Sequence, residues 1–450
     1  MESVAHIFKA YDIRGKVGSE LTVELAENIG RAMAQWLPNK GSVAVGRDMR
    51  PDSEDLAQGM IRGLRAGGRN VRDIGLVTSD MIYFAVGSGN LAGGAMITAS
   101  HNPGEYNGIK LCREEARPIG IESGLAEVRD LSLAGTFTDA ATEGTLEVVD
   151  LSDAWIQHNL SFIDASALTP LKLAVDAGNG MAGAIFPKLE KHVPWQISQM
   201  YFELDGTFPN HEANPLKFET LTDLIKNIRD NNLDGGMAFD GDGDRAFLID
   251  ETGEVLTGGV MSAMLADYFL TKNPGAFIVY DARNSRTVPE LVESKGGKPV
   301  ITRVGHAFIK ESMREHDAPF GGEASGHFYF RDNWYADSGL ISAVIGIYVA
   351  TLSGKKLSEL REQYTYYPAI PETNFVVEDK ETALTSIAES FPEGEHSQLD
   401  GLTVSLPDGS WFNVRASNTE PLLRLNAEAK TPEALEILVT KVKALIVAAQ

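Results

Sequence analysis

The chain has 450 residues, of which 43% are hydrophobic and 23% are charged, and this composition is typical of a folded globular protein and excludes a fully disordered one. Its 40 Lys and Arg face 63 Asp and Glu, so the net charge of −23 argues against nucleic acid or an anionic membrane as a partner, and any anion site must be a local cluster of cations. The single cysteine, Cys112, excludes an intramolecular disulfide and a cysteine zinc site, and together with an N-terminus lacking an apolar signal segment it predicts a cytoplasmic protein.

Three blocks of the chain share one pattern: a short β-prone run ends in a turn and is followed by a helical segment and another strand. The blocks begin at residues 42–50, 172–180 and 276–286. This alternation predicts βαβ units with mostly parallel sheet, and its recurrence predicts three related α/β domains. The longest apolar run, residues 340–352, is too short for a membrane span and predicts a buried helix.

The last ninety residues have a different pattern. Two short strands flank the turn at 407–410, a third strand follows at 422–427, and Thr431-Pro432 is a typical helix start. We therefore expect a C-terminal α+β domain. The predicted domains are residues 1–147, 148–251, 252–361 and 362–450.

The segment MAFDGDGDRAFLID places three aspartates between two predicted strands. Asp240, Asp242 and Asp244 repel one another unless they share a divalent cation, and an oxygen-only ligand set favours Mg²⁺. Arg245 is placed to hold a phosphate on that cation. An EF-hand would use Glu251 at position 12, but it needs glycine where Arg245 stands and helices where strands are predicted. A purely structural acidic turn would bury repelling charges without a cation.

The segment ITASHNPGEYNGIKL follows the end of a predicted strand. Ser100 is the plausible nucleophile here, because His101 beside it is suited to proton transfer, and Lys110 adds positive charge. Adjacent side chains on an extended chain point to opposite faces, however, so the spacing alone is more typical of an ordinary loop than of a site.

The segment GGEASGHFYF alternates Glu323, Ser325 and His327, which would face one way on an extended strand. A carboxylate and a hydroxyl suit two vicinal hydroxyls of a sugar, and the glycines around them favour close approach of a ligand. A solvated strand face is the alternative.

The segment RASNTEP offers a guanidinium, hydroxyls and an amide within five residues: Arg415, Ser417, Asn418 and Thr419. Such a donor-rich loop suits a phosphate group, although a plain polar turn has the same composition.

Taken in chain order, FKAYDIRG (8–15), TASHNP with YNGIK, DGDGDR, GEASGH and RASNTEP resemble the signatures of the α-D-phosphohexomutase superfamily. The resemblance covers the whole chain, and VGHAFIK and YFRDNWYADSG are similar to its bacterial phosphomannomutase branch. Ala324 departs from the methionine common in that branch, while the neighbouring Glu and Ser are kept.

The resemblance implies four domains around a central cleft, three of them related mixed or parallel-sheet α/β folds and the last an α+β fold. It implies that Ser100 carries the phosphoryl group and, with Asp240, Asp242 and Asp244, contributes a ligand to Mg²⁺. The residues that it places around the transferred group are Arg14, His101, Lys110 and Arg245. Those that it places at the sugar and at the non-reacting phosphate are Arg283, His306, Glu323, Ser325, His327, Arg415, Ser417, Asn418 and Thr419.

The implied activity is interconversion of mannose 6-phosphate and mannose 1-phosphate through a phosphoserine and a hexose 1,6-bisphosphate, which also serves as activator. Phosphoglucomutase or dual activity is the first alternative, because mannose and glucose differ only at C2. An aspartate-nucleophile phosphatase and a non-catalytic Ca²⁺ or sugar-phosphate binding protein are the others. The expected partners are small hexose phosphates, in a monomer or homodimer with neither nucleic acid nor membrane bound.

Overall fold

The computed structural model describes residues 4–416 and 422–448. The chain forms two compact units. The first unit comprises residues 1–256 and 326–358, and the second comprises residues 257–325 and 359–450.

The first sheet of the first unit is mixed. Its main strands, in spatial order, are Ile13–Lys16, Tyr106–Arg113, Gly93–Ile97, Val43–Arg47, Val71–Leu76 and Leu146–Val148. The strand Val43–Arg47 is parallel to both neighbours, as predicted, and Tyr106–Arg113 is antiparallel to its neighbours. The helices are Val23–Trp36, Ser53–Ala66, Ser79–Ser88 and Leu125–Ala134. Because the central strands are buried on both faces, their functional side chains emerge only where the strands end.

The second sheet of this unit carries the aspartate loop. Its spatial order is Val255–Leu256, Ala246–Asp250, Gly235–Phe239, Lys172–Asp176 and Gln196–Met200. The helices of this part are Ser152–Leu160, Ala182–Glu190 and Thr222–Asp230. Gly235–Phe239 and Ala246–Asp250 form an antiparallel hairpin whose residues are all buried, so the loop between them is held at both ends by core strands.

Residues 326–358 complete the first unit. Phe328–Phe330 pairs antiparallel with Ala336–Asp337, and the helix Gly339–Ser353 follows. The helix contains the apolar run and is largely buried, which confirms that prediction. Ser338 caps it, since its hydroxyl accepts from the Ile341 N–H.

The second unit contains a parallel βα layer and an antiparallel sheet. Phe277–Asp281 lies between Lys298–Thr302 and Phe320–Gly322, all parallel, with the helices Gly258–Lys272, Thr287–Ser294 and His306–His316. The antiparallel sheet has the order Thr373–Val376, Leu422–Glu428, Trp411–Ala416, Leu402–Ser405 and Glu395–Ser397. The helices Lys380–Glu389 and Pro432–Ala448 bury one face of this sheet, and Leu357–Gln363 leads into it. The predicted fold class, α/β with a C-terminal α+β domain, is confirmed.

Among residues 4–416 and 422–448, no single helix is long and apolar enough to cross a membrane, and one bent pair of helices reaches that length and composition only when combined.

Candidate active site

Ser100 lies in the loop after Gly93–Ile97 and is 5% exposed. Its backbone is left-handed, with φ of 51°, a conformation that non-glycine residues seldom adopt outside turns and functional sites. This turn breaks the alternation of an extended chain, so Ser100 Oγ lies 3.1 Å from His101 Nδ1. The same hydroxyl donates to Asp240 Oδ2 at 2.9 Å. The sequence argument against the Ser100–His101 pair was therefore wrong, because the chain is not extended there.

The Arg50 guanidinium holds the Ser100 loop through hydrogen bonds to its backbone carbonyls. It donates to the Ser100 carbonyl at 2.9 Å and to the Asn102 carbonyl at 2.6 Å. It also donates to the carbonyls of Pro103 and Tyr106. Sequence analysis missed this buried residue, although its place shortly after the strand Val43–Arg47 was a usable signal.

The three aspartates of the DGDGDR loop are buried together, and their ligand oxygens lie within 4.8 Å of one another. Gly243 has φ of 76°, which favours glycine, and a Cβ on Gly241 would lie 2.5 Å from the Ser100 carbonyl oxygen. The glycines therefore let this loop fold tightly and lie against the Ser100 loop.

Two cations balance the aspartates. Lys110 Nζ lies 2.7 Å from Asp242 Oδ2 and 2.6 Å from Asp244 Oδ2. Arg245 donates from its backbone to Asp240 Oδ1 at 3.1 Å and from Nε to Asp240 Oδ2 at 2.9 Å.

Burial and the neighbouring aspartates raise the pKa of Asp240 to about 7, although Arg245 opposes the shift. Burial also acts on Asp242, but the Lys110 ammonium outweighs it and lowers the pKa of that carboxyl. The pKa of Lys110 is raised, because its two aspartates outweigh the effect of burial. The loop thus contains carboxylates of unequal basicity, a common property of functional sites.

The residues present fit a divalent cation. The oxygens Asp242 Oδ1 and Asp244 Oδ1 are buried and accept no hydrogen bond from the described part of the chain. Mg²⁺ prefers oxygen ligands, and the three aspartates of this loop offer carboxylate oxygens without any nitrogen or sulfur ligand. The predicted acidic metal-binding cluster is therefore present in the folded protein.

Ser79 supports the cluster at the start of the helix Ser79–Ser88. Its hydroxyl donates to Asp242 Oδ2 at 2.5 Å and its N–H donates to the Asp242 carbonyl at 2.9 Å. The next residue, Asp80, accepts from the Ser338 hydroxyl at 2.5 Å. Sequence analysis identified neither residue, because they lie far from the motif in sequence.

The remaining predicted residues of the first unit surround this cluster. Arg245 donates to His101 Nδ1 at 2.5 Å, and burial lowers the pKa of His101 well below its usual range. Arg14 donates to Asn102 Oδ1 at 2.6 Å. His327 Nδ1 lies 3.0 Å from Asp337 Oδ2 and 3.8 Å from Asp244 Oδ1.

In the second unit, Ser325 donates to Glu323 Oε2 at 2.8 Å, and Arg283 lies 3.5 Å from the same oxygen. Arg283 also pairs with Asp281 at 2.8 Å. Burial acts against the charge of Arg283, but Asp281 outweighs it and raises the pKa. The structure thus places Glu323, Ser325 and Arg283 in one group. His306 is the first residue of the helix His306–His316.

Of two further predictions for the second unit, one was wrong and the other falls largely outside the described residues. Residues 323–327 form a turn, with Gly326 at φ of 86°, so the prediction of an extended strand there was wrong. Of the predicted phosphate loop, Arg415 is the last residue but one of the strand Trp411–Ala416, while Ser417, Asn418 and Thr419 lie outside the described residues.

Sequence models of four domains described as phosphoglucomutase/phosphomannomutase match this chain. Domains I, II and III, each described as alpha/beta/alpha, match residues 5–136, 153–253 and 257–367, and the C-terminal domain matches residues 372–445. This architecture and the site define a phosphomutase, which is an isomerase. The chain belongs to the phosphoglucomutase/phosphomannomutase family within the phosphohexomutase superfamily.

Similar proteins cover nearly the whole chain. Phosphohexose mutases of Xanthomonas campestris pv. campestris (strain B100) are 44% identical over 434 residues, which is 95% of this chain and 96% of theirs. A phosphomannomutase of Salmonella montevideo is 42% identical over 451 residues, which is 96% of this chain and 98% of its own. The crystal structure of a phosphoglucomutase/phosphomannomutase family protein from Burkholderia thailandensis has a TM-score of 0.91 at 32% identity and covers 100% of this chain and 98% of its own.

Proposed function

We propose that this enzyme interconverts mannose 6-phosphate and mannose 1-phosphate through a phosphoserine at residue 100. The observation that carries the proposal is the hydrogen bond of 2.9 Å from Ser100 Oγ to Asp240, inside a loop of three buried aspartates. The choice of mannose rests on the similarity to phosphomannomutases.

In the first half of the cycle, the free hydroxyl of the sugar attacks the phosphorus of phosphoserine 100. The P–O bond to Ser100 breaks, the sugar hydroxyl loses its proton, the serine oxygen takes up a proton to become a hydroxyl, and a hexose 1,6-bisphosphate forms. After the sugar turns over, the serine hydroxyl attacks the other phosphate and the phosphoserine is regenerated. The net change is the position of one phosphoryl group.

Stabilisation of the negative charge is the main catalytic requirement of phosphoryl transfer. Asp240, Asp242, Asp244 and an oxygen on Ser100 would hold Mg²⁺, which when bound neutralises charge on the transferred group. Arg245 and Lys110 would contact the same phosphoryl oxygens from the protein side, with Arg14 and His101 beside them.

His327 is the residue that we propose for proton transfer to and from the sugar hydroxyl. Its Nδ1 lies 3.0 Å from Asp337 Oδ2, and this carboxylate would stabilise the ring when it takes up a proton. Lys110 is held as an ammonium by two carboxylates. His101 already accepts a hydrogen bond from Arg245. Neither is as well placed to accept a proton.

The proposal assigns Glu323 and Ser325 to the O3 and O4 hydroxyls of the sugar, with Arg283, His306 and His327 nearby. It assigns Arg415, with Ser417, Asn418 and Thr419, to the phosphate that is not reacting. Since O3 and O4 are shared by mannose and glucose, phosphoglucomutase or dual activity is the second candidate. We further propose a cytoplasmic enzyme, monomer or homodimer, that a hexose 1,6-bisphosphate primes.

Three measurements test the proposal. Mass spectrometry of enzyme incubated with glucose 1,6-bisphosphate should find phosphate on Ser100, and phosphate on Asp240 or Asp242 would instead support a phosphatase. Ser100→Ala should abolish mutase turnover with bisphosphate present, and near-full turnover by that variant would overturn the proposal. A coupled assay with mannose, glucose and glucosamine 1-phosphates at equal concentration decides the sugar.

A further inference from the structure

The loop at residues 201–214 packs against Arg50, the residue that holds the Ser100 loop. The Phe208 ring centroid lies 5.2 Å from the Arg50 guanidinium carbon, which is within cation–π range. A Cβ on Gly206 would lie 2.5 Å from Arg50 Cα, so the two backbones are in close contact. The 201–214 loop therefore supports Arg50 through both the Phe208 ring and the Gly206 backbone.

The same loop also reaches both loops of the candidate active site. A Cβ on Gly104, in the Ser100 loop, would lie 2.8 Å from the Gly206 carbonyl oxygen. A Cβ on Gly241, in the aspartate loop, would lie 3.5 Å from Phe208 Cζ. A displacement of the loop would therefore remove contacts from both loops of the site at once.

His211 fastens the 201–214 loop to the neighbouring sheet. Its Nε2 lies 3.0 Å from Asp176 Oδ2, at the end of the strand Lys172–Asp176, and its Nδ1 lies 2.8 Å from the Glu212 carbonyl oxygen. Both partners are acceptors, since a carboxylate and a backbone carbonyl have no proton to donate. Only the imidazolium form has two N–H groups, so making both hydrogen bonds requires a protonated His211.

The other titratable groups around His211 leave this arrangement in place. The Tyr201 ring packs edge-on against the imidazole, with ring centroids 5.2 Å apart, and its hydroxyl donates to Asp223 at 2.7 Å. The Glu212 carboxylate pairs with Lys217. The carboxylates of Asp176 and Asp223 therefore supply the negative charge that favours the imidazolium.

The balance of these effects fixes the direction of the pH response. Burial acts against the charge of His211, but the hydrogen bond and charge of Asp176 outweigh it and raise the pKa above the ordinary value of 6.5. The contribution of the His211–Asp176 pair to stability is therefore complete below pH 6.5 and is lost as pH rises through the raised value.

We infer that His211 and Phe208 are positioning residues for phosphoryl transfer: the protonated His211–Asp176 pair fastens the 201–214 loop, which holds Arg50 and hence the Ser100 loop in place. This rests on the proposed function for the role of Ser100. Both residues lie outside the motifs that the sequence analysis identified, and both act through Arg50. The alignment of the nucleophile thus depends on the protonation of a histidine in another part of the first unit.

The first test measures the protonation of His211 in the full-length protein without any turnover. NMR spectra of the histidine ring nitrogens are recorded across pH, and His211→Gln assigns the signal by removing it. The signal should titrate with a midpoint above 6.5, and both ring nitrogens should carry protons below that midpoint. A midpoint at or below 6.5 would overturn the inference.

The second test compares kcat of the wild type and of His211→Gln with mannose 1-phosphate from pH 6 to 9. At pH 6 the wild type should be about three- to tenfold faster, with KM nearly unchanged, because only the wild type has the second ring donor. The ratio should approach one above the His211 midpoint, whereas a ratio that is the same at every pH would indicate a merely structural role and overturn the inference. His192→Gln is the matched control at an exposed histidine of the same domain, and its ratio should be one throughout.

Phe208→Leu tests the path from the loop to Arg50. It keeps an apolar side chain but removes the ring face from the guanidinium, and it should lower kcat about two- to fivefold at every pH while His211 titrates as in the wild type. In the double variant with His211→Gln, the loss at pH 6 should be smaller than the product of the single losses, because both changes act through one loop. Independent losses would overturn the inference.

The two tests separate this inference from the proposed function. If His211 titrates as expected but no hexose phosphate is converted, the proposed function fails and the His211–Asp176 pair stands. If Ser100 becomes phosphorylated and turns over while the ratio of kcat values is independent of pH, the inference alone fails.

Discussion

Gly241→Ala perturbs the approach of the aspartate loop to the Ser100 loop without removing a functional group. The added Cβ would lie 2.5 Å from the Ser100 carbonyl oxygen, whereas ordinary contact begins at 3.4 Å, so the loops must separate by about 0.9 Å (3.4 − 2.5). The obstacle is a backbone atom that Arg50 holds, so it cannot rotate away. Misplacement by about 1 Å costs roughly 100-fold in rate, and we expect kcat/KM to fall by about 10- to 100-fold.

The assay is coupled turnover of mannose 1-phosphate at saturating Mg²⁺ and bisphosphate, with the thermal midpoint measured on the same samples. Gly275→Ala is the control, because that glycine has φ of 80° and nothing within 4 Å of an added Cβ. The control should lose stability while its kcat/KM stays unchanged. Wild-type kcat/KM in Gly241→Ala would refute the claim that the close approach of the two loops positions Ser100.

Three further predictions concern residues that support the site. Arg50→Lys cannot remake four carbonyl hydrogen bonds, so urea unfolding should show a loss of about 2–4 kcal/mol, together with lower phosphoserine occupancy at Ser100 by mass spectrometry. Asp337→Asn removes the carboxylate beside His327 and should lower kcat by about 10- to 100-fold with KM nearly unchanged in steady-state kinetics, while an equal rise in KM would contradict a role in proton transfer. Burial raises the pKa of Asp80 to about 8 from a reference value of 3.8. Between these two pH values the folded protein retains a proton that the unfolded chain has released, so the free energy of unfolding falls as pH rises from about 4 to about 8. Asp80→Asn should therefore flatten the fall of the thermal midpoint from pH 5 to 8, and a pH dependence equal to that of the wild type would contradict this.

The strands and the motifs were predictable because their signals are local. Strands that alternate with helices, and glycines between aspartates, act within a few residues of where they occur. The acidic loop and the C-terminal helix after Thr431 could therefore be predicted from sequence. The turn at residues 323–327 could not, because the alternation of Glu323, Ser325 and His327 matched a strand equally well.

Sequence alone determined the family and the fold class. It also identified most residues of the site around Ser100 and the three aspartates, and of the group formed by Arg283, Glu323 and Ser325, since contiguous motifs carry them. Tertiary structure alone decided that Ser100 and His101 converge and that Arg50 and Ser79 hold the two loops. Each of these contacts joins residues that are far apart in the chain or depends on one backbone turn. The distances between these residues depend on where the strands end and on how they pair in the folded sheet. Local sequence composition does not encode either of these.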